Sequence, residues 1–290
     1  MDIICMEAYF VSHLGLGDNL YCNGATRYLT QFYTRVYFLC FDKYLDNVTS
    51  FFADNNKIVC VPVSHEQFSK GNPPPNWETI RDILHDKYKN NDIFICGQAI
   101  VPFFPSKITN PSFLQRDTYD KDYSLTLDTI DDYRYRFIRE MYEHARLNIG
   151  VMIDFWKLPD THESRSMYES VREYRIVFLQ TISSNGKILP VKNVLRRYLH
   201  DKNTILLFND YNIYDTIENG DPDVEEKKKL ANVFVKNKLV FYLDTIKNAS
   251  EIYLIDSCFT GIILPLQKKG LLKAKTIRLI MRGDVEKYEL

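Results

Sequence analysis

The chain has no C-x-x-C pair and no histidine at zinc-finger spacing from its six cysteines, so a zinc site is not expected. It also has no excess of positive charge. Its 37 Lys and Arg are set against 38 Asp and Glu, which argues against a nonspecific nucleic-acid binder. No apolar run approaches the roughly 18 residues of a membrane span. No basic stretch followed by an apolar one opens the sequence, so neither a span nor a signal peptide is expected. Without a secretory signal, Asn47-Val48-Thr49 and Asn248-Ala249-Ser250 read as chance sequons. The cysteines, at 5, 22, 40, 60, 96 and 258, fall mostly inside apolar runs, as reduced buried thiols of a cytoplasmic protein do.

What is present is ample core. Hydrophobic residues make up 45% of the 290 positions and aromatics 14%, with 20 tyrosines. That composition supports one large or two ordinary domains and argues against disorder. The tyrosines suit a sugar or base site, or plain core and half-buried surface.

Apolar patterning alternates along the first half. Ile3–Phe10 reads as a strand, Leu20–Phe32 as a helix, and Val36–Phe41 as a strand buried on both faces. Tyr44–Ala53 follows as a helix and Lys57–Val63 as a strand. Pro73-Pro74-Pro75 breaks the pattern, after which Trp77–Tyr88 reads as a helix and Asp92–Gly97 as a strand. Residues 101–125 carry three prolines and read as irregular, and Leu127–Asn148 reads as a long charged helix. The second half repeats the alternation, with strands at Arg175–Thr181, Thr204–Asn209, Leu239–Leu243, Ile252–Asp256 and Thr276–Ile280. Helices are expected at Val191–Leu199, Asp223–Asn232, Thr245–Ala249 and Phe259–Lys269, with a turn at Asn219-Gly220-Asp221-Pro222. The reading is α/β, with two Rossmann-like doubly wound domains, 1–160 and 161–290, facing a central cleft.

Four constellations could carry chemistry. The first is His13, Gly15, Gly17, Asp18, Asn19 and Asn23, after the opening strand. The glycines permit positive φ and close ligand approach. Asp18 or His13 could take a proton from a hydroxyl, or Asp18 could simply cap a helix. The third position of a dinucleotide fingerprint is Leu20 rather than glycine, which disfavours hydride transfer. The second is Thr181-Ile182-Ser183-Ser184-Asn185-Gly186, whose hydroxyls and amides suit phosphate oxygens or an ordinary turn. The third is Asp256-Ser257-Cys258, between an apolar strand and an apolar helix; it could meet a diphosphate at the helix N-terminus, or cap it. The fourth, Asn209-Asp210-Tyr211-Asn212, could meet a base or ribose, or form a surface turn. No D-x-D pair stands in an open loop, since Asp131-Asp132 are adjacent on the long helix, which speaks against a single-sheet metal-dependent transferase.

Taken together, the Ser12–Asn23 loop, the Thr181–Gly186 turn and the run Asn248–Phe259 resemble GT-B-fold glycosyltransferases. The small size, scarce glycine and Asn/Tyr/Lys-rich composition also resemble enzymes of large DNA viruses infecting algae, the chlorovirus xylosyltransferase-like group. The resemblance implies a metal-independent transfer of a sugar, xylose in the narrower likeness, from a UDP- or GDP-linked donor to a glycan hydroxyl. It implies inversion, with Asp18 as first choice of base and His13 as second. Gly15, Gly17, Thr181, Ser183, Ser184, Asp210, Asp256, Ser257 and Cys258 would line the nucleotide-sugar site. Partners would be the donor and a glycan, with no nucleic acid, and the location the cytoplasm, of a host if the chain is viral. One departure is evident: no basic residue adjoins Asp256-Ser257, so Arg165, Arg172 or Lys187 would have to fold over the diphosphate. A noncatalytic sugar or nucleotide binder and a sugar-nucleotide epimerase are the competing readings.

Overall fold

The computed structural model describes residues 7–64, 80, 83–84, 87, 91–96, 119, 132–217 and 221–287. The Pro73–Pro75 break, most of the Trp77–Tyr88 helix, nearly all of 101–125, the start of the 127–148 helix and the Asn219-Gly220 turn lie outside the described residues. The chain divides into two compact units, the first taking in 1–126 and 132–159 and the second 127–131 and 160–290.

In the first unit, β1 (Glu7–Val11), β2 (Arg35–Phe41), β3 (Ile58–Val63) and β4 (Asp92–Ile95) form a sheet in the order β3-β2-β1-β4. Every pairing is parallel. A parallel sheet covered on both faces needs apolar side chains at successive positions, and the continuous runs supply them. Tyr9, Val11, Leu39, Val63, Ile93 and Ile95 cluster on one face with Ile80 and Leu84. The intervening Phe10 and Phe38 stack at 5.6 Å on the other, where Phe52 meets Phe38 at 5.3 Å. The helices are α1 (Leu16–Tyr21), α2 (Asn23–Leu29), α3 (Leu45–Phe51), α4 (Asp132–His144) and α5 (Gly150–Asp154).

The single helix expected over Leu20–Phe32 is in fact two, and it begins earlier. Cys22 ends α1 and precedes α2. Its carbonyl accepts from the amide of Thr26 at 3.0 Å and from its hydroxyl at 2.9 Å. Gly24 explains how closely α2 packs on α5: a Cβ there would lie 2.4 Å from the Val151 carbonyl oxygen and 2.6 Å from that of Met152. Tyr142 of α4 adds a hydrogen bond to the Tyr21 carbonyl at 2.6 Å.

In the second unit, β5 (Arg175–Gln180), β6 (Thr204–Phe208), β7 (Glu251–Ile255) and β8 (Thr276–Ile280) form a second parallel sheet, ordered β6-β5-β7-β8. Around it stand α6 (His162–Glu169), α7 (Lys192–Tyr198), α8 (Pro222–Asn232), α9 (Leu243–Asn248) and α10 (Thr260–Lys268). The strand expected at Leu239–Leu243 is instead a 3-10 turn, Leu239–Tyr242, running into α9. A short apolar run fits a buried strand or a buried helical turn equally well. Here the buried Tyr242 decides: its hydroxyl donates to the Phe234 carbonyl and accepts from Asn209 Nδ2 at 2.8 Å, while its ring packs on Phe178 and Phe259. At the amino edge of this sheet, buried Glu251 accepts from the hydroxyls of Tyr198 and Tyr253, both at 2.6 Å, and from Arg175.

In both sheets the first strand of the unit lies inside, and later strands are added on either side of it. The order therefore reverses between β1 and β4, and again between β5 and β7. Ligands of open α/β sheets gather beyond the carboxyl ends of the strands at such a reversal. Among the described residues, no helix is long and apolar enough to cross a membrane.

Candidate functional site

In the first unit, only Ser12, His13, Leu14 and Gly15 separate β1 from α1. Buried Ser12 ties the turn: its Oγ accepts from the Leu14 amide at 3.2 Å and donates to Asn19 Oδ1 at 2.9 Å. Leu14 has φ +65°, and its side chain is fully buried in the sheet cluster. That backbone region costs a non-glycine residue about 1–2 kcal/mol, and leucine burial offsets it. The positive φ expected of the glycines therefore falls on Leu14. Gly15 has φ −65°, and Gly17 lies inside the first turn of α1. At Gly15 a Cβ would sit 2.6 Å from Asp18 Oδ2, so a side chain there would displace the Asp18 carboxylate.

Asp18 is half-buried in the first turn of α1, where the helix dipole favours a carboxylate. It is not the cap, since Gly15 holds that position without a side-chain bond. The His13 ring packs 5.4 Å from Phe137. Burial, with a further contribution from His144, holds the His13 imidazole below the usual histidine range. His13 Nε2, His144 Nδ1 and the side-chain nitrogens of Asn19 and Asn23 are buried with no hydrogen-bond partner among the described residues. A neutral imidazole with an open ring nitrogen can accept a proton, as can the Asp18 carboxylate. Cys22 and Cys96 are buried nearby, and burial, reinforced by Cys96, pushes the Cys22 thiol well up, so it is inert as a nucleophile.

The second unit makes its first turn differently. Thr181–Leu189 folds back as a hairpin, with Leu189 N bonded to Thr181 O at 2.8 Å, an Ile182–Ile188 bridge, and Gly186 at φ +79°. Ser183 is buried and lies within the turn: its hydroxyl donates to Asn185 Oδ1 and accepts from Lys187 N at 3.0 Å. Ser184 is exposed at the tip. Asp210, after β6, straps this hairpin down. Its Oδ2 accepts from the amides of Thr181 and Ile182, both at 3.0 Å, and from the Thr181 hydroxyl at 3.2 Å. Its Oδ1 accepts from Gln180 Nε2 at 3.0 Å.

The open groups stand one strand over, after β7. Asp256 is buried, and Ser257 is 9% exposed with its Oγ unpartnered among the described residues. Neither caps α10. The cap position is Phe259, without a side-chain bond, while Ser257 N reaches Thr260 Oγ1 at 3.5 Å. Burial pushes the half-buried Cys258 thiol up to about 12, with Asp210 adding to it. The amides of Cys258 and Phe259, which bond to the sulfur, oppose the rise, as does Arg282. The thiol is therefore no nucleophile at neutral pH.

The expectation that no basic residue adjoins Asp256-Ser257 is overturned: Arg282, just past β8, donates from Nε to the Asp256 carbonyl at 2.9 Å and lies 3.5 Å from its Oδ2. The sequence hid this contact because β8 brings residues 26 positions apart to one edge. The cations suggested in its place are situated otherwise. Arg172 pairs with Glu169 and Glu173, Lys187 with Glu286, and Arg165 is exposed on α6. No group of three His, Cys, Asp or Glu side chains arranged to hold a metal occurs among the described residues.

No family model and no curated protein matches the sequence. Solved structures do. The chain is similar to the glycosyl transferase family 9 protein of Veillonella parvula, with TM-score 0.50 at 14% identity over 98% of this chain and 88% of that one. It is also similar to the E. coli ADP-heptose LPS heptosyltransferase II, with TM-score 0.49 at 12% identity over 95% and 90% of the two chains. A third likeness is to a putative UDP-N-acetylglucosamine 2-epimerase of Listeria monocytogenes, with TM-score 0.46 at 11% identity over 89% and 76%. At such identities, the likeness to the Veillonella protein shows the fold: an α/β chain of two parallel-sheet units shared with a GT-B glycosyltransferase.

Proposed function

We propose that the protein is a glycosyltransferase that moves a sugar from a nucleoside-diphosphate donor to a hydroxyl of a glycan. The observation that carries this reading is the carboxyl edge of β7. There a buried Ser257 hydroxyl, unpartnered among the described residues, precedes an uncapped nine-residue helix, with a guanidinium beside it. Hydroxyl, amides and helix dipole together suit a diphosphate. The fold shared with a family 9 glycosyl transferase supports the same reading.

In this reading the second unit binds the donor and the first the acceptor. The acceptor oxygen attacks the anomeric carbon from the face opposite the leaving group, and its proton passes to the Asp18 carboxylate. The bond from that carbon to the β-phosphate oxygen breaks, and the electron pair leaves with the nucleoside diphosphate. His13, neutral at pH 7, is the second candidate for the proton. The charge developing on the diphosphate is met by Ser257, the α10 amides and a protein cation, with no metal required. Thr181, Ser183, Ser184 and Asp210 shape the donor side through the hairpin they form. Transfer of xylose from UDP-xylose, with the algal-virus likeness it derives from, is the narrower form of this proposal and rests on sequence resemblance.

The test is a thermal-shift panel of UDP, GDP, ADP and their sugars, with and without EDTA. A ligand at 100 times its dissociation constant raises stability by about 2.7 kcal/mol. The expected result is a shift with one nucleotide series that survives EDTA. No shift with any of them sinks the donor reading, and a shift abolished by EDTA sinks metal independence.

A further inference from the structure

We infer that Arg282 is the cation that receives the donor's diphosphate, and that Asp256 is a positioning residue that aims this arginine rather than a contact of the ligand. The inference rests on the glycosyltransferase reading above.

The placement follows from strand register. β8 pairs with β7 from Glu251↔Thr276 to Ile255↔Ile280, so the residues following each strand emerge at the same edge. Asp256 N donates to the Ile280 carbonyl at 2.8 Å, extending the ladder by one step. Arg282 then turns back, and its Nε bonds to the Asp256 carbonyl at 2.9 Å with Oδ2 3.5 Å away. A guanidinium carries five N–H donors. Here the inner one is engaged, while the two terminal nitrogens have no partner among the described residues and the side chain is 35% exposed. An arginine fixed at Nε and open at its fork is arranged for bidentate recognition of a phosphate.

Two further observations point to an anion at the same place. Ser257 Oγ is buried without a partner among the described residues, which is costly unless a ligand supplies one. The amides of Cys258 and Phe259, directly before α10, bond to the Cys258 sulfur and to no oxygen among the described residues. The nearby carboxylates do not contest the site. Asp210 is engaged by the hairpin amides and Gln180, and Asp256 by Arg282.

The experiment is calorimetric titration of the full chain with inorganic pyrophosphate, with UDP, GDP and ADP, and with the matching nucleosides. It uses the wild type, Arg282→Gln, Arg282→Lys, Asp256→Asn and the Gln–Asn double variant. Arg282→Gln is expected to weaken pyrophosphate and the preferred diphosphate about tenfold or more while leaving the nucleoside unchanged, with lysine restoring part. Asp256→Asn gives a sign test. Removing a negative charge beside an anion would by itself tighten binding, whereas releasing Arg282 weakens it. Weakening of about threefold is expected, with no further loss when Arg282 is already glutamine. Undiminished diphosphate binding by Arg282→Gln overturns the inference and leaves the glycosyltransferase reading standing, and tighter binding by Asp256→Asn overturns the positioning role. Pyrophosphate binding that depends on Arg282, with no nucleoside diphosphate bound, keeps the anion site and overturns the glycosyltransferase reading. A wild type that binds neither overturns both.

Discussion

The two units solve the same topological problem with opposite use of their polar groups. Where the first sheet reverses, the chain leaves β1 and enters a helix within four residues. It pins the turn through Ser12 and leaves His13 Nε2 and the amide nitrogens of Asn19 and Asn23 without partners among the described residues. Where the second sheet reverses, the chain leaves β5 into a closed hairpin whose hydroxyls and amides satisfy one another and Asp210. Among the described residues, the second unit's unpartnered buried polar atoms are Gln180 Oε1 at the end of β5, Thr245 Oγ1, Gln267 Oε1 and, just after β7, Ser257 Oγ. A strand end rich in Ser, Thr and Asn is therefore no index of ligand contact. What distinguishes a site is whether its polar atoms already have protein partners.

The largest expected effect comes from Asp18. If the first turn supplies the base and the second unit holds the donor, Asp18→Asn lowers turnover about 10²–10⁴-fold while nucleotide affinity stays unchanged; radiometric transfer and calorimetry measure the two separately. Equal loss of both would erase the division of labour. Gly24→Ala comes next. The added methyl meets backbone rather than a yielding side chain, so the first unit should lose about 3 kcal/mol. Hydrogen exchange should localise that loss to β1, β2 and α2, with β5 and β7 still protected. Asp210→Ala should cost about 2 kcal/mol, since it strips acceptors from the Thr181 and Ile182 amides. Those two amides should then exchange faster than any others in the second sheet.

The smallest effect is on pH. The depressed pKa of His13 means the unfolded chain takes up a proton near 6.5 that the folded one resists, so its stabilisation is complete above that value and falls as the pH drops below it. Glu251 in the second unit behaves as a depressed carboxylate. Burial raises its pKa, but the hydrogen bonds from Tyr198 and Tyr253 and the charges of Arg175 and Arg197 outweigh that and hold it below 4.5. Its contribution is present above that value and is lost as pH falls through the folded pKa. Acidification from pH 7 to 5 should therefore loosen the first unit before the second, read as earlier loss of exchange protection around β1.

Much of this was legible in the sequence, for definite reasons. Continuous apolar runs such as Val36–Phe41 announce buried parallel strands because nothing polar can occupy either face. Asp256 and Ser257 could be placed at a strand end because Ile252–Ile255 and Ile262–Leu266 flank them with unbroken hydrophobicity. The misread Leu239–Leu243 had the same apolar density but drew its conformation from the Tyr242 hydroxyl, whose partners lie in other segments. Arg282 and the Asp210 strap were invisible for the same reason: both depend on register between strands, which no local pattern encodes. Leu14, left-handed although Gly15 and Gly17 stand just after it, shows the limit of residue preference, because core packing there outweighs backbone preference.

The contact between Gly24 and residues 151–152 has a consequence for synthesis. By the time Ile95 has left the ribosome, the nascent chain holds all four described strands of the first sheet. It still lacks the segment that seals α2: Tyr142, Val151 and Lys157, the last of which bonds Asn23 Oδ1 at 3.0 Å. The contacts that cover α2 therefore lie up to some sixty residues beyond Ile95, so α2 can complete its packing only after the sheet's own strands have all been made.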